Sequence, residues 1–201
     1  MWLKSDKHYL RFDEKSNTYD SLEKLLFFLN NIENDLNFWK WAIIALHSSV
    51  YGAMILSLLG SHPDRVSKFP IKKRKMHSVD ETGKPIILET EDTRLISFPE
   101  AFRRIQNEKF MRMYVKSVFF KTETRHKESM EWLNDRFRNQ FIHFVPVGWS
   151  IEIKGLTNLF RDCLEIIEFC LFQSGNVLLE EDERKLFEKV VENIKNHEEL
   201  K

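Results

Sequence analysis

Cysteine is scarce in this chain: 201 residues hold two, Cys163 and Cys170. They lie seven apart in a segment patterned as helix, which sets their Cα atoms roughly 10 Å apart. A disulfide needs less than about 7 Å, so the two do not bridge within one helix. No Cys/His group has zinc-ligand spacing, so neither a metal site nor a cofactor is expected. The pair reads as small buried apolar residues of a reduced, cytoplasmic protein. Net charge is lacking too, with 31 basic residues against 31 acidic ones. That argues against a domain that grips nucleic acid by bulk charge, because such domains are strongly basic. There is no internal repeat and no low-complexity tract. The N-terminal stretch "MWLKSDKHYLRFDEK" lacks the apolar core of a signal peptide. Trp41 to Leu59 is just long enough to span a bilayer. His47, Ser48 and Ser49 sit in its middle, where polar groups are costly in lipid, and Gly60 ends it. It therefore reads as the central helix of a soluble bundle, with no membrane partner.

What is present is charge, aromatics and helical periodicity. The chain has 17 Phe and 5 Trp, enough for a core and a partner surface together. At this length a compact fold buries roughly 70% of its unfolded surface, so one core needs no staples. Asp20 and Glu23 make a capping-box pattern ahead of "LEKLLFFLNNI", and Asn34 or Asp35 is placed to cap the helix that ends at Gly60. Residues 61–97 break the pattern with Pro63, Pro70, Pro85 and "DETGKP"; they read as a long loop or insertion between the second and third helices. "PIILET" has strand character but no evident partner. Helix resumes where Ser97 caps, Pro99 sits in the first turn and Glu100 closes a capping box. A long helix is expected from about Glu123 to Phe144, stopped by Pro146. Trp149 and Ser150 open the next, and an acidic-to-basic helix near the C-terminus suits the helix dipole. The expectation is a single all-α domain over 1–201, a bundle of five to six helices.

Two segments carry candidate chemistry. The run Lys72, Lys73, Arg74, Lys75 is a local basic patch in a neutral chain. It reads as a solvated loop or, less plainly, as an RNA-facing one. The stretch "RNQFIHFVPVGW", from Arg138 to Trp149, sets Arg138, Asn139 and His143 near a helix end. Arg138 and His143, five apart, point roughly 140° apart on an α-helix, whereas Asn139 and His143 share a face. Arg136 falls on nearly the same face as His143 and is a second candidate cation for holding RNA. A histidine in a last helical turn has its imidazolium favoured by the dipole, and its pKa suits proton transfer near neutrality. An arginine holds a phosphate and stabilises charge developing on it. His plus Arg suffices for RNA cleavage by 2′-hydroxyl attack without a metal. The plainer reading makes Arg138 a solvated helix-end cation and His143 a cap for the last carbonyls. His47 reads as a satisfied core histidine. Phe38, Trp39 and Trp41 read as core or dimer surface, and "FRRIQNEKFMRMYVK" as an amphipathic basic helix.

"RNQFIH" resembles the R-x4–6-H motif of HEPN domains. "WKWAIIALHSSVYGAMILSLL" is similar to the early helix of such domains, and "FRNQFIHFVPVGWSIEI" to their motif helix, turn and following helix. The resemblance implies a helical bundle, commonly dimeric, and in many members a metal-independent ribonuclease of toxin–antitoxin or phage-defence systems. Carried over, it implies Arg138 and His143 as catalytic residues and Asn139 as the motif's polar companion, facing their copies across a two-fold axis. The implied partners are a second copy, RNA, and an antitoxin or a nucleotidyltransferase. Two alternatives stand beside it: a non-catalytic interaction module, and a nucleotide-binding accessory.

Overall fold

The structure is a computed structural model of the chain. It describes residues 10–60, 63–68, 72–79, 84–92, 94–143, 148 and 150–200; the side chains of 63, 72–76, 79, 88–92 and 143 fall outside that description. The described chain is mostly helical, as its periodicity predicts.

Helix α1 (Glu14–Leu29) starts earlier than the Asp20–Glu23 pattern predicts. Asp13 Oδ1 accepts from the Ser16 amide at 2.7 Å, and Ser16 Oγ accepts from the Asp13 amide at 2.8 Å. This reciprocal pair satisfies two amides that the first turn leaves open, so the stronger box lies upstream. Helix α2 (Phe38–Leu59) has Asn37 as its N-cap, with no side-chain bond, rather than Asn34 or Asp35. Asp35 instead accepts from the Asn37 amide at 2.8 Å. Gly60 ends α2 at φ 51°, a left-handed conformation that only glycine adopts freely.

Among the described residues α2 is the one helix long and apolar enough to cross a membrane, and 72% of its apolar window is buried inside the fold. The reason is its central position. Leu22, Leu25 and Leu29 of α1 pack on one side of it, and Phe160 of a later helix meets Trp39 edge-on at 5.9 Å. A helix apolar all round belongs in a core, where each buried Leu or Ile contributes about 1.5–3 kcal/mol. Gly52 allows the α1–α2 approach: a Cβ there would collide with Thr18.

The region expected as a loop is a β-hairpin. Strands β1 (Lys72–Val79) and β2 (Pro85–Asp92) pair antiparallel. "PIILET" therefore has a partner, and that partner is the basic run. The register sets Lys72 opposite Asp92, Lys73 opposite Glu91 and Lys75 opposite Glu89. The ladder continues toward the helices through Lys68 N–H to Arg94 O and Ile96 N–H to Val66 O, each 2.8 Å.

Helix α3 (Phe98–Ile105) begins at Ser97, but no side-chain cap bond forms. Glu100 does not close a box; it binds Arg103 and Arg104 at 2.7 Å each. A short α4 (Glu108–Met111) follows. The predicted long helix is present in three contiguous parts: α5 (Thr124–Glu131), a π-helical segment (Trp132–Arg138) and α6 (Asn139–His143). Pro146 and Trp149, expected to turn the chain, lie outside the described residues. Helix α7 (Leu156–Glu168) starts later than Ser150, after a 3₁₀ turn at Ile153–Gly155, and passes into a second π segment, Phe169–Gln173. Helix α8 (Glu181–Lys195) carries the predicted acidic first turn and a capping box between Glu180 and Glu183.

Cys163 and Cys170 are both buried and free. Burial pushes the Cys170 thiol up to about 12 and the Cys163 thiol well above its ordinary range, so neither is a ready nucleophile.

Candidate functional site

The helix over residues 124–143 changes its winding where the candidate chemistry lies. The Asn139 amide bonds back to the Asn134 carbonyl, five residues away rather than four. Segments of this kind are rare and concentrate at functional sites, because they shift side chains off the α-helical face they would otherwise share. Facings derived from a uniform α-helix therefore do not apply across Trp132–Arg138.

Two predicted residues come together here. Arg138 Nη1 donates to Asn139 Oδ1 at 3.0 Å. Among the described residues no carboxylate pairs with Arg138, which is part-buried. A guanidinium held by a neutral amide keeps its full charge and most of its five donors available for an anion. His143 ends α6, and its side chain lies outside the described residues, as do those of Lys72, Lys73, Arg74 and Lys75.

His47, read as a core histidine, belongs to the same neighbourhood. It stacks on Phe98 with ring centroids 4.4 Å apart, and its Nε2 lies 3.3 Å from Asn134 Oδ1. Asn134 Nδ2 donates to Asp135 at 2.5 Å, which leaves Oδ1 as the acceptor and assigns the proton to His47 Nε2. Burial, opposed by the Asn134 bond and reinforced by the nearby Arg138 guanidinium, holds the His47 imidazole down at about 4. It is neutral at pH 7, so His47 adds no positive charge beside Arg138. Sequence spacing had no means of pairing residue 47 with residue 138; an apolar helix carrying one histidine was the sole signal.

An aromatic surface borders these groups. Phe28 stacks on Phe38 at 5.9 Å and lies 6.4 Å from Trp41. Lys40 Nζ sits 4.9 Å from the Trp41 ring and 6.0 Å from that of Phe141, one helical turn from Arg138. Phe27 is 53% exposed and Trp41 47%, and Ile142 is exposed as well. These side chains therefore stand outside the core, on the surface of the described fold.

The other end of the same helical run carries a cluster absent from the sequence-based reading. Arg125 reaches Asp162 at 2.5 Å and Glu165 at 2.6 Å, and also binds Glu123 at 3.0 Å. His126 Nδ1 accepts from the Glu123 amide at 3.0 Å, so its Nε2–H donates to Glu165, also at 3.0 Å. Ser129 Oγ donates to Asp162 at 2.6 Å. The network is closed on itself and ties α5 to α7. Arg125 hydrogen bonds hold the Glu165 carboxyl below its usual range. Among the described residues, no group of three or more His, Cys, Asp or Glu is arranged to hold a metal ion.

Comparison of the chain with protein-family models, curated proteins and solved structures returned no match.

Proposed function

We propose that this chain is an HEPN-like, metal-independent endoribonuclease that acts as a homodimer. The observation that supports the reading is the Arg138 environment: a cation without a carboxylate, held by Asn139, beside a neutral His47, at the end of a π-helical segment. Keeping such a charge part-buried costs folding free energy unless an anion arrives. In this reading Arg138 binds the scissile phosphate and stabilises the charge that develops on its oxygens. Asn139 orients the guanidinium through its Oδ1. His143, at the end of α6, moves protons: it takes one from the attacking 2′-hydroxyl or gives one to the departing 5′-oxygen. The product would be a 2′,3′-cyclic phosphate. The exposed aromatic face at Phe27, Trp41 and Ile142 is the surface on which a second copy would bring its own Arg138 and His143 near.

A second reading rests on that same aromatic face and on the hairpin. The basic run is built into a hairpin strand, its backbone in register with an acid-rich partner strand, rather than held out as a free loop. A non-catalytic dimerisation or partner-docking module has the same face and needs no chemistry.

Incubation of purified protein with mixed RNA in excess chelator separates the two. The ribonuclease reading expects cleavage that resists chelator, leaves cyclic phosphate, and is lost in His143→Ala and Arg138→Ala. No cleavage by a folded dimer would remove it and leave the docking module.

A further inference from the structure

The π segment also borders a groove on its other side. Trp132, Arg136 and Gln140 line one wall; Asn158 and Leu159 of α7 and Glu152 line the opposite one. Its volume is about 690 Å³, within the range of pockets that take small organic ligands. Trp132 is 48% exposed. The Arg136 guanidinium lies 4.6 Å from the centre of the indole, and Phe137 buttresses that ring from 6.0 Å. Among the described residues no carboxylate pairs with Arg136, which is exposed. A stacked guanidinium without an ion-pair partner presents a flat cationic face, the kind of platform on which nucleobases stack in single-stranded RNA recognition. Around it the groove offers amides from Gln140 and Asn158 and carboxylates from Glu128 and Glu152. These are hydrogen-bonding groups suited to a base edge carrying N–H donors, and the two carboxylates disfavour a phosphate on the groove floor.

We propose that this groove is a nucleobase subsite for single-stranded RNA. One base stacks against the Trp132–Arg136 pair, and its Watson–Crick edge meets the amides and carboxylates. The adjoining backbone runs toward Arg138, two residues further along the same segment. The inference rests on the ribonuclease reading for its substrate class, but its test does not depend on turnover.

The probe is an end-labelled, 2′-O-methylated hexaribonucleotide containing all four bases, which has no free 2′-hydroxyl to attack and so cannot be cleaved. Fluorescence anisotropy with the full chain reads binding alone. The expected result is saturable binding by the wild type, weakened roughly 5- to 100-fold by Trp132→Leu and by Arg136→Gln, the loss associated with one stacked base. Circular dichroism checks that each variant retains its helices. Should Trp132→Leu unfold, Arg136→Gln decides alone, since its side chain is on the surface. No binding by the wild type, or equal binding by both variants, overturns the subsite and leaves the ribonuclease reading to the cleavage assay. Trp132-dependent binding without cleavage of unmodified RNA supports the subsite and removes the ribonuclease.

Discussion

Arg125 and Arg138 stand on one helical run, and their surroundings are opposite. Arg125 holds three carboxylates, one of them Asp162, which is 3% exposed. Arg138 holds one neutral amide. At the first end every strong donor has its acceptor, and the charge is spent on joining α5 to α7. At the second the charge is positioned but not neutralised. The fold tolerates this because the winding changes between them and because His47 stays neutral. An arginine saturated with carboxylates is a structural tie; one held by a single neutral amide keeps donors that the proposed function assigns to a phosphate.

The largest expected break in this comparison is Arg125→Met. It strands the buried Asp162 carboxylate, and a loss of about 3–5 kcal/mol in denaturant unfolding is expected. Arg138→Met, by contrast, should cost less than about 1 kcal/mol, since no buried partner is orphaned. Equal losses in the two variants would erase the distinction.

His47 supplies the next effect. Its folded pKa of about 4 lies below the ordinary 6.5, so between these values the unfolded chain binds a proton that the folded one refuses. Stability therefore falls as pH drops from about 6.5 toward about 4, by about 2–4 kcal/mol in total. His47→Gln should flatten the difference curve measured across that window; an unchanged slope would show that the imidazole is not held neutral.

Glu100 belongs with the saturated side of the comparison. It pairs with Arg103 and with the buried Arg104, whose Nη1 also donates to Arg65 O at 2.6 Å. The Arg103 hydrogen bond, opposed by burial and reinforced by Arg104, draws the carboxyl down from 4.5 to about 2. Its stabilisation is present above 4.5 and is lost as pH falls through 2. Glu100→Gln should cost about 1–2 kcal/mol at pH 7 and nothing once the pH is well below about 2. The smallest effect joins the two ends of the account. Arg138→Met removes a cation that disfavours the His47 imidazolium, so the His47 titration followed by NMR should move up by a few tenths of a unit. A titration that stays in place would separate Arg138 from His47.

Much of the helical frame was legible from the residues. Gly60 ends α2 because capping leaves a local chemical signature, and the acidic first turn and basic last turn of α8 were readable from its charges. The hairpin was not read, although its signal was there: the three acids of "LETED" fall opposite Lys72, Lys73 and Lys75 of the basic run, with Thr90 opposite Arg74. Four consecutive cations suggest a solvated loop until an acidic strand is set against them. The π segment has no sequence signature, since its winding is decided by packing rather than by propensity. For the same reason the meeting of His47 with Asn134, and of Arg125 with Asp162, was hidden: each joins residues far apart in the chain. The contact of Arg138 with Asn139 lay within reach of the sequence because the two are adjacent in the chain.

Arg138→Ala tests the central claim most directly when melting temperature and chelator-resistant RNA cleavage are read on the same preparation. The account predicts a melting temperature within about 3 °C of the wild type and a cleavage rate at least about 100-fold lower, a loss typical of removing one donor to developing negative charge. Cleavage at the wild-type rate, or a collapse in stability like that of Arg125→Met, would contradict it.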